Sequence, residues 1–133
     1  MSKVKFSIRE KEFLTNNECC RLATCSNNIP HVVPVSYIFE DNLFYFATDY
    51  KTKKYENITK NNHIALVIDV YSSVDNKAIC IQGITDIIKA GDEFSRLYKI
   101  FYERFEWVRM DPWKENEAPF IKIVPTNKIS WGL

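Results

Sequence analysis

The segment Asp49-Tyr50-Lys51-Thr52-Lys53-Lys54 sets three lysines around a threonine at the predicted start of a helix. Thr52 suits the N-cap position, because its hydroxyl can accept a hydrogen bond from a first-turn amide. Lys53 and Lys54 would then face the positive end of the helix dipole, which costs roughly 0.3 kcal/mol or more each. Such crowding makes sense if an anion binds there, met by ammonium groups and unpaired amides. The same residues also fit a solvated basic surface, and the segment alone leaves both readings open.

Other chemistry is sparse. Three glycines in the whole chain exclude a glycine-rich dinucleotide or P-loop fingerprint, and no Ser-His-Asp arrangement is visible. The only histidines, His31 and His63, fall at predicted strand starts, where structural roles are favoured. Cys19, Cys20, Cys25 and Cys80 contain no C-x-x-C pair and read as reduced, small apolar residues, so no metal site is expected. Arg21 lies in an apolar strand and would need a carboxylate or an anionic ligand as partner. Trp107, Arg109 and Trp113 could line a substrate mouth or a dimer surface, and Trp131 could cap the core or flank a cofactor. Asn57-Ile58-Thr59 matches a glycosylation sequon, which carries no meaning in a cytoplasmic chain.

The elements that must position these residues follow from periodicity. Ser7 and Glu10 fit a capping box that opens a short helix ending at Asn16-Asn17. Strands are predicted at Cys19–Ser26, Pro30–Glu40 and Leu43–Thr48, joined by turns at Asn27-Asn28 and Asp41-Asn42. A helix over Thr52–Asn61 precedes strands at His63–Tyr71 and Ala78–Lys89. Asp92 is placed as the cap of a longer helix, in which Phe94, Leu97, Tyr98, Phe101, Phe105 and Val108 form an apolar stripe. Phe120–Trp131 makes a sixth strand, interrupted near Pro125.

At 133 residues with 46% hydrophobic content, one domain spanning 1–133 is expected, a mainly β fold with flanking helices. Eighteen basic and seventeen acidic residues leave a net charge of +1, which argues against a general nucleic-acid binder. No apolar run is long enough to span a membrane and the N-terminus lacks a signal-peptide core, so a cytoplasmic location is expected.

An ordered set of segments adds a resemblance. Arg21-Leu22-Ala23-Thr24, Pro30-His31-Val32-Val33-Pro34-Val35, Leu43-Phe44-Tyr45-Phe46-Ala47-Thr48 and Lys54-Tyr55-Glu56-Asn57-Ile58 occur in this order. With Ala78–Thr85, which carries Gly83, and Val124-Pro125-Thr126…Ser130-Trp131-Gly132, the set resembles the flavin-binding split-barrel family typified by pyridoxamine 5′-phosphate oxidase. The resemblance covers residues 7 to 132. It implies a six-stranded antiparallel split β-barrel that forms a homodimer and holds flavin mononucleotide (FMN) at the subunit interface.

By that resemblance the flavin ring lies along Val33, Pro34, Val35 and Ser36, Ala47 and Thr48 help hold the cofactor, and Thr52, Lys53 and Lys54 grip its phosphate. The implied function is a flavin-dependent oxidoreductase acting on an unidentified small molecule, with no catalytic residue assignable. The alternatives are a flavin carrier or sensor without turnover, and a reductase using the deazaflavin F420. Asn28 stands where the family usually has glycine, and asparagine can adopt the same backbone angles. The family's C-terminal arginine segment has no counterpart before Leu133, so slow reduction of the bound cofactor by a nicotinamide nucleotide or another reductant is expected rather than oxidation of pyridoxamine 5′-phosphate.

Overall fold

The capping box forms as its residues dictate. In the computed structural model, which describes residues 4–133, the Ser7 hydroxyl accepts from the Glu10 amide and the Glu10 carboxylate accepts from the Ser7 amide. Helix α1 (Ile8–Thr15) follows, and Phe13 and Leu14 are buried. Strand β1 (Cys19–Ser26) pairs with β2 (Ile29–Ser36) through Asn27-Asn28, and β3 (Ile38–Glu40) pairs with β4 (Leu43–Ala47) through Asp41-Asn42. All four turn residues hold φ between 53° and 65°, the left-handed region that tight two-residue hairpins require.

Helix α2 (Lys53–Lys60) leads to β5 (His63–Tyr71) and β6 (Asn76–Ile88). Helices α3 (Asp92–Arg104) and α4 (Glu106–Met110) precede β7 (Phe120–Trp131). The strands form one antiparallel sheet in the order β2-β1-β5-β6-β7-β4-β3. This is the expected split-barrel class, with seven strands rather than six.

The extra strand has a local cause. The predicted strand Pro30–Glu40 is divided at Tyr37, whose amide donates to the Glu18 carbonyl at 2.9 Å and whose hydroxyl donates to the Leu14 carbonyl at 2.7 Å. Those bonds take Tyr37 out of the ladder and bury it, so β2 and β3, adjacent in sequence, end up on opposite edges of the sheet. That placement is what curls the sheet into a half-barrel.

Alternation along the strands then builds two cores. Phe44, Phe46, Ile121 and Ile123 point into the curl with Leu22, Leu66, Ile79 and Ile81. Tyr45, Ile38, Ile88 and Phe120 meet Phe94, Leu97 and Phe101 of α3 in the second cluster. The expected stripe is real, but the helix stops at Arg104. Phe105 is extended (φ −115°, ψ 120°), and Arg109 donates to the Tyr102 and Glu103 carbonyls that a continuing helix would have used. Nor does Asp92 cap α3: Gly91 occupies the cap at φ 92°, and Asp92 is the first helical residue, where its charge suits the dipole.

The interruption at Pro125 is a β-bulge. Gln82 pairs with Asn127 and Gly83 with Pro125, leaving Thr126 as the extra residue. A Cβ on Gly83 would approach the Val124 carbonyl oxygen at 2.8 Å, so only glycine fits this crossing. No helix among the described residues is long and apolar enough to cross a membrane.

Candidate functional site

The pairing of β4 with β7 sets Ala47 opposite Phe120, and the Thr48 amide donates to the Pro119 carbonyl at 3.2 Å. The segment after α4 is thereby held beside the loop that starts α2. Between them lies a cleft of about 400 Å³ lined by Ala47, Thr48, Asp49, Thr52 and Lys54 on one side and by Trp107, Asp111, Trp113 and Ala118 on the other.

Thr52 caps α2 as its position predicts, accepting from the Tyr55 amide at 3.3 Å. Its own proton goes to the Asp49 carbonyl at 2.9 Å, so in the 2.9 Å contact between the two hydroxyls Thr48 is the donor. Both hydroxyl protons are therefore committed within the loop. The groups left to meet an anion are the Lys53 and Lys54 amides, which no earlier turn of the helix can satisfy, and the Lys54 ammonium.

The lysines differ. Lys53 pairs with Glu56 at 3.4 Å, and Glu56 also receives Lys60 at 3.3 Å. Lys54 is half-buried in the cleft wall and makes no ion pair among the described residues. Burial lowers its pKa from the ordinary lysine value, and the Asp49 charge opposes that shift. Lys51 is exposed and does not line the cleft.

The aromatic wall was only partly legible. Trp107 and Trp113 lie parallel within 4° at 6.2 Å between ring centroids, and Tyr98 meets Trp113 edge-on at 5.0 Å. Trp113 Nε1 is buried with no hydrogen-bond partner among the described residues. Trp107 keeps 41% of its surface open.

Other predicted residues lie elsewhere. Val33, Pro34, Val35 and Ser36 sit on β2, whose outer side is a free sheet edge, and do not line the cleft; nor does Lys53. Val35 packs on the inner core, whereas Pro34 is exposed. Arg21 is exposed on the outer face and therefore solvated, with Cys19 Sγ at 3.9 Å from its Nη1. Arg109 is a helix cap rather than a cleft residue, and Trp131, 44% exposed, donates to Asn76 Oδ1 at 2.8 Å rather than filling the core. His63 is exposed at the start of β5, and His31 is partly buried, its Nδ1 without a hydrogen-bond partner among the described residues. All four cysteines are free, and burial pushes the Cys20 thiol up to about 12.

A family model described as pyridoxamine 5′-phosphate oxidase matches residues 7–127. Among solved structures, a FAD-binding protein from Mesorhizobium loti superposes with a TM-score of 0.72 at 21% identity, covering 94% of this chain and 93% of the other. General stress protein 26 from Bacillus anthracis gives 0.70 at 23% identity, covering 90% and 92%. The heme storage protein HutZ from Vibrio cholerae gives 0.79 at 12% identity, covering 95% and 94%. A search of curated proteins returned no match. At these identities the structural likenesses establish the fold.

Proposed function

The chain belongs to the pyridoxamine 5′-phosphate oxidase family, and from that premise we propose that it binds FMN and serves as a flavin-dependent oxidoreductase for a small molecule. One observation carries the reading: a half-buried lysine with no ion pair among the described residues, Lys54, shares a cleft with the capped start of α2 and the end of β4. These residues fit a phosphate, since a cation and free first-turn amides are the groups that anions seek. The Val33–Ser36 edge suits the ring, because an unpaired strand edge offers fixed backbone donors and acceptors to ring carbonyls and nitrogens. When bound, the flavin supplies the electron or hydride transfer; the chain's residues bind and orient it and shape the approach of the substrate.

The test is uptake. Adding protein to FMN should quench flavin fluorescence saturably, and the loaded protein should bleach slowly with a nicotinamide nucleotide under anaerobic conditions. Absence of saturable quenching sinks the flavin reading. Uptake without bleaching by any reductant turns it into the carrier or sensor.

A homodimer belongs to the same proposal. Helices α3 and α4 cover the outer sheet face only over β3, β4 and the adjoining ends of β6 and β7. The rest presents a shallow groove of about 340 Å³ lined by Ala23, Val32, Ala65, Val67, Cys80 and Ile129 among others, and Val32 and Ile129 are exposed. A contiguous apolar strip on a sheet is a surface for a partner, and a second copy is the commonest one. Light scattering should give about twice the 15.7 kDa chain mass; a monomer at micromolar concentration would count decisively against it.

A further inference from the structure

The most buried residue of α2 is polar. Asn57 is 1% exposed, and its Nδ2 donates to the Thr24 hydroxyl of β1 at 3.0 Å, while its Oδ1 is buried with no hydrogen-bond partner among the described residues. A half-satisfied amide costs stability that a leucine in the same place would not. What the amide adds is direction. Apolar contacts let a helix turn on a sheet, whereas a buried hydrogen bond selects one orientation. One turn further on, Asn61 closes a second link. Its Nδ2 donates to the Cys25 carbonyl at 3.0 Å, and its Oδ1 accepts from the His63 amide at 3.1 Å. Either link alone would leave a pivot; the two together fix the rotation of α2 on β1.

That rotation decides which lysine enters the cleft. At about 100° per residue, Lys54, Asn57, Ile58 and Asn61 share one sector of the helix, and Lys53, Glu56 and Lys60 share the next. Burial follows the sectors, with Lys54 half-buried in the cleft wall and Lys53 exposed and paired with Glu56. We infer that Asn57, acting through Thr24, is a positioning residue for Lys54: it sets the phase of α2 that turns this ammonium, and not its neighbour's, into the cleft. The effect on a ligand rests on the reading of Lys54 as the partner of the FMN phosphate; the geometric link does not.

Thr24→Val tests the link, since it keeps the shape of the side chain and removes the hydroxyl that Asn57 meets. Asn57→Leu removes the amide instead and serves if the first variant does not fold. Either should weaken FMN about fivefold, a part of what loss of Lys54 costs, and leave riboflavin unchanged. In a Lys54→Ala background neither should weaken FMN further, because both act on one interaction. Thr24→Ser, which keeps the hydroxyl, should bind both flavins as the wild type does. The Lys54 titration, followed by NMR of its ε-methylene, needs no ligand. Burial holds it below the ordinary lysine value against the Asp49 charge, with Asp111 also lining the cleft, and breaking the link should move it up. Equal losses for FMN and riboflavin, or a loss that persists in full without Lys54, overturn the inference and leave Asn57 a structural residue. If the wild type binds neither flavin, the flavin reading falls and the titration decides alone: an upward move in Thr24→Val sustains the inference, and an unmoved Lys54 overturns it.

Discussion

Replacing Lys54 with alanine should weaken FMN binding by roughly 10- to 150-fold, the worth of about 1.5–3 kcal/mol for a hydrogen bond to a charged group. Riboflavin, which lacks the phosphate, should bind nearly as well to the variant as to the parent. The asymmetry between neighbours sharpens the expectation. Lys53 is engaged by Glu56, whereas Lys54 has no ion pair among the described residues and lines the cleft. Lys53→Ala should therefore cost only a few-fold, and the double variant should resemble Lys54→Ala. Thr52→Ala acts differently, because the Thr52 proton already goes to the Asp49 carbonyl. It removes the cap of α2 and misplaces the first-turn amides, a helix-stability effect of about 1 kcal/mol. Burial lowers the Lys54 pKa, so FMN affinity should decline on the alkaline side sooner than an ordinary exposed lysine would dictate, and Lys54→Arg should remove that decline. Equal weakening of FMN and riboflavin by Lys54→Ala would show that the phosphate lies elsewhere.

Part of this site was written locally in the sequence, and part was not. The N-cap at Thr52, the capping box at Ser7 and Glu10, and both asparagine-rich hairpin turns are decided by residues within four positions of one another, and all formed as read. The division of the second strand depends on Tyr37 reaching the Leu14 and Glu18 carbonyls, and one of these contacts spans twenty-three positions. No window of local pattern contains it. The end of α3 escaped for a different reason: the apolar period runs unbroken through Phe105 and Val108, but Arg109 folds back onto the Tyr102 and Glu103 carbonyls and closes the helix early. Trp107 and Trp113 were singled out by residue type, yet their meeting with Lys54 depends on β4 pairing with β7, which no local spacing encodes. Lys53 is the reverse case. Its partner Glu56 lies three residues on, on the same helix face, and that spacing could have separated it from Lys54.

Glu10→Ala should cost about 3–5 kcal/mol at neutral pH, because it leaves a paired, part-buried ammonium without its carboxylate. Glu10 is 5% exposed, and its carboxylate takes Lys128 Nζ at 2.7 Å, Ser130 Oγ at 2.6 Å and the Ser7 amide at 2.8 Å. Burial alone would raise its pKa. The Lys128 and Ser130 hydrogen bonds, with the Ser7 amide and the Lys128 charge, outweigh that and hold it at about 2. A carboxyl depressed in the folded state contributes stability that is complete above its unfolded value near 4.5 and is lost as pH falls towards about 2. The amount is on the order of 3 kcal/mol. Glu10 joins α1 to the end of β7, and α1 supplies the Leu14 carbonyl that anchors Tyr37, the residue dividing β2 from β3. Acid should therefore loosen the very pivot that presents the Val33–Ser36 edge. Urea unfolding of the wild type should show its midpoint falling steeply across that acid window, and Glu10→Gln, less stable at neutral pH, should show a much shallower fall. If the two proteins lose stability with the same slope between about pH 5 and pH 2, the acid sensitivity belongs to other carboxylates and Glu10 does not hold the pivot.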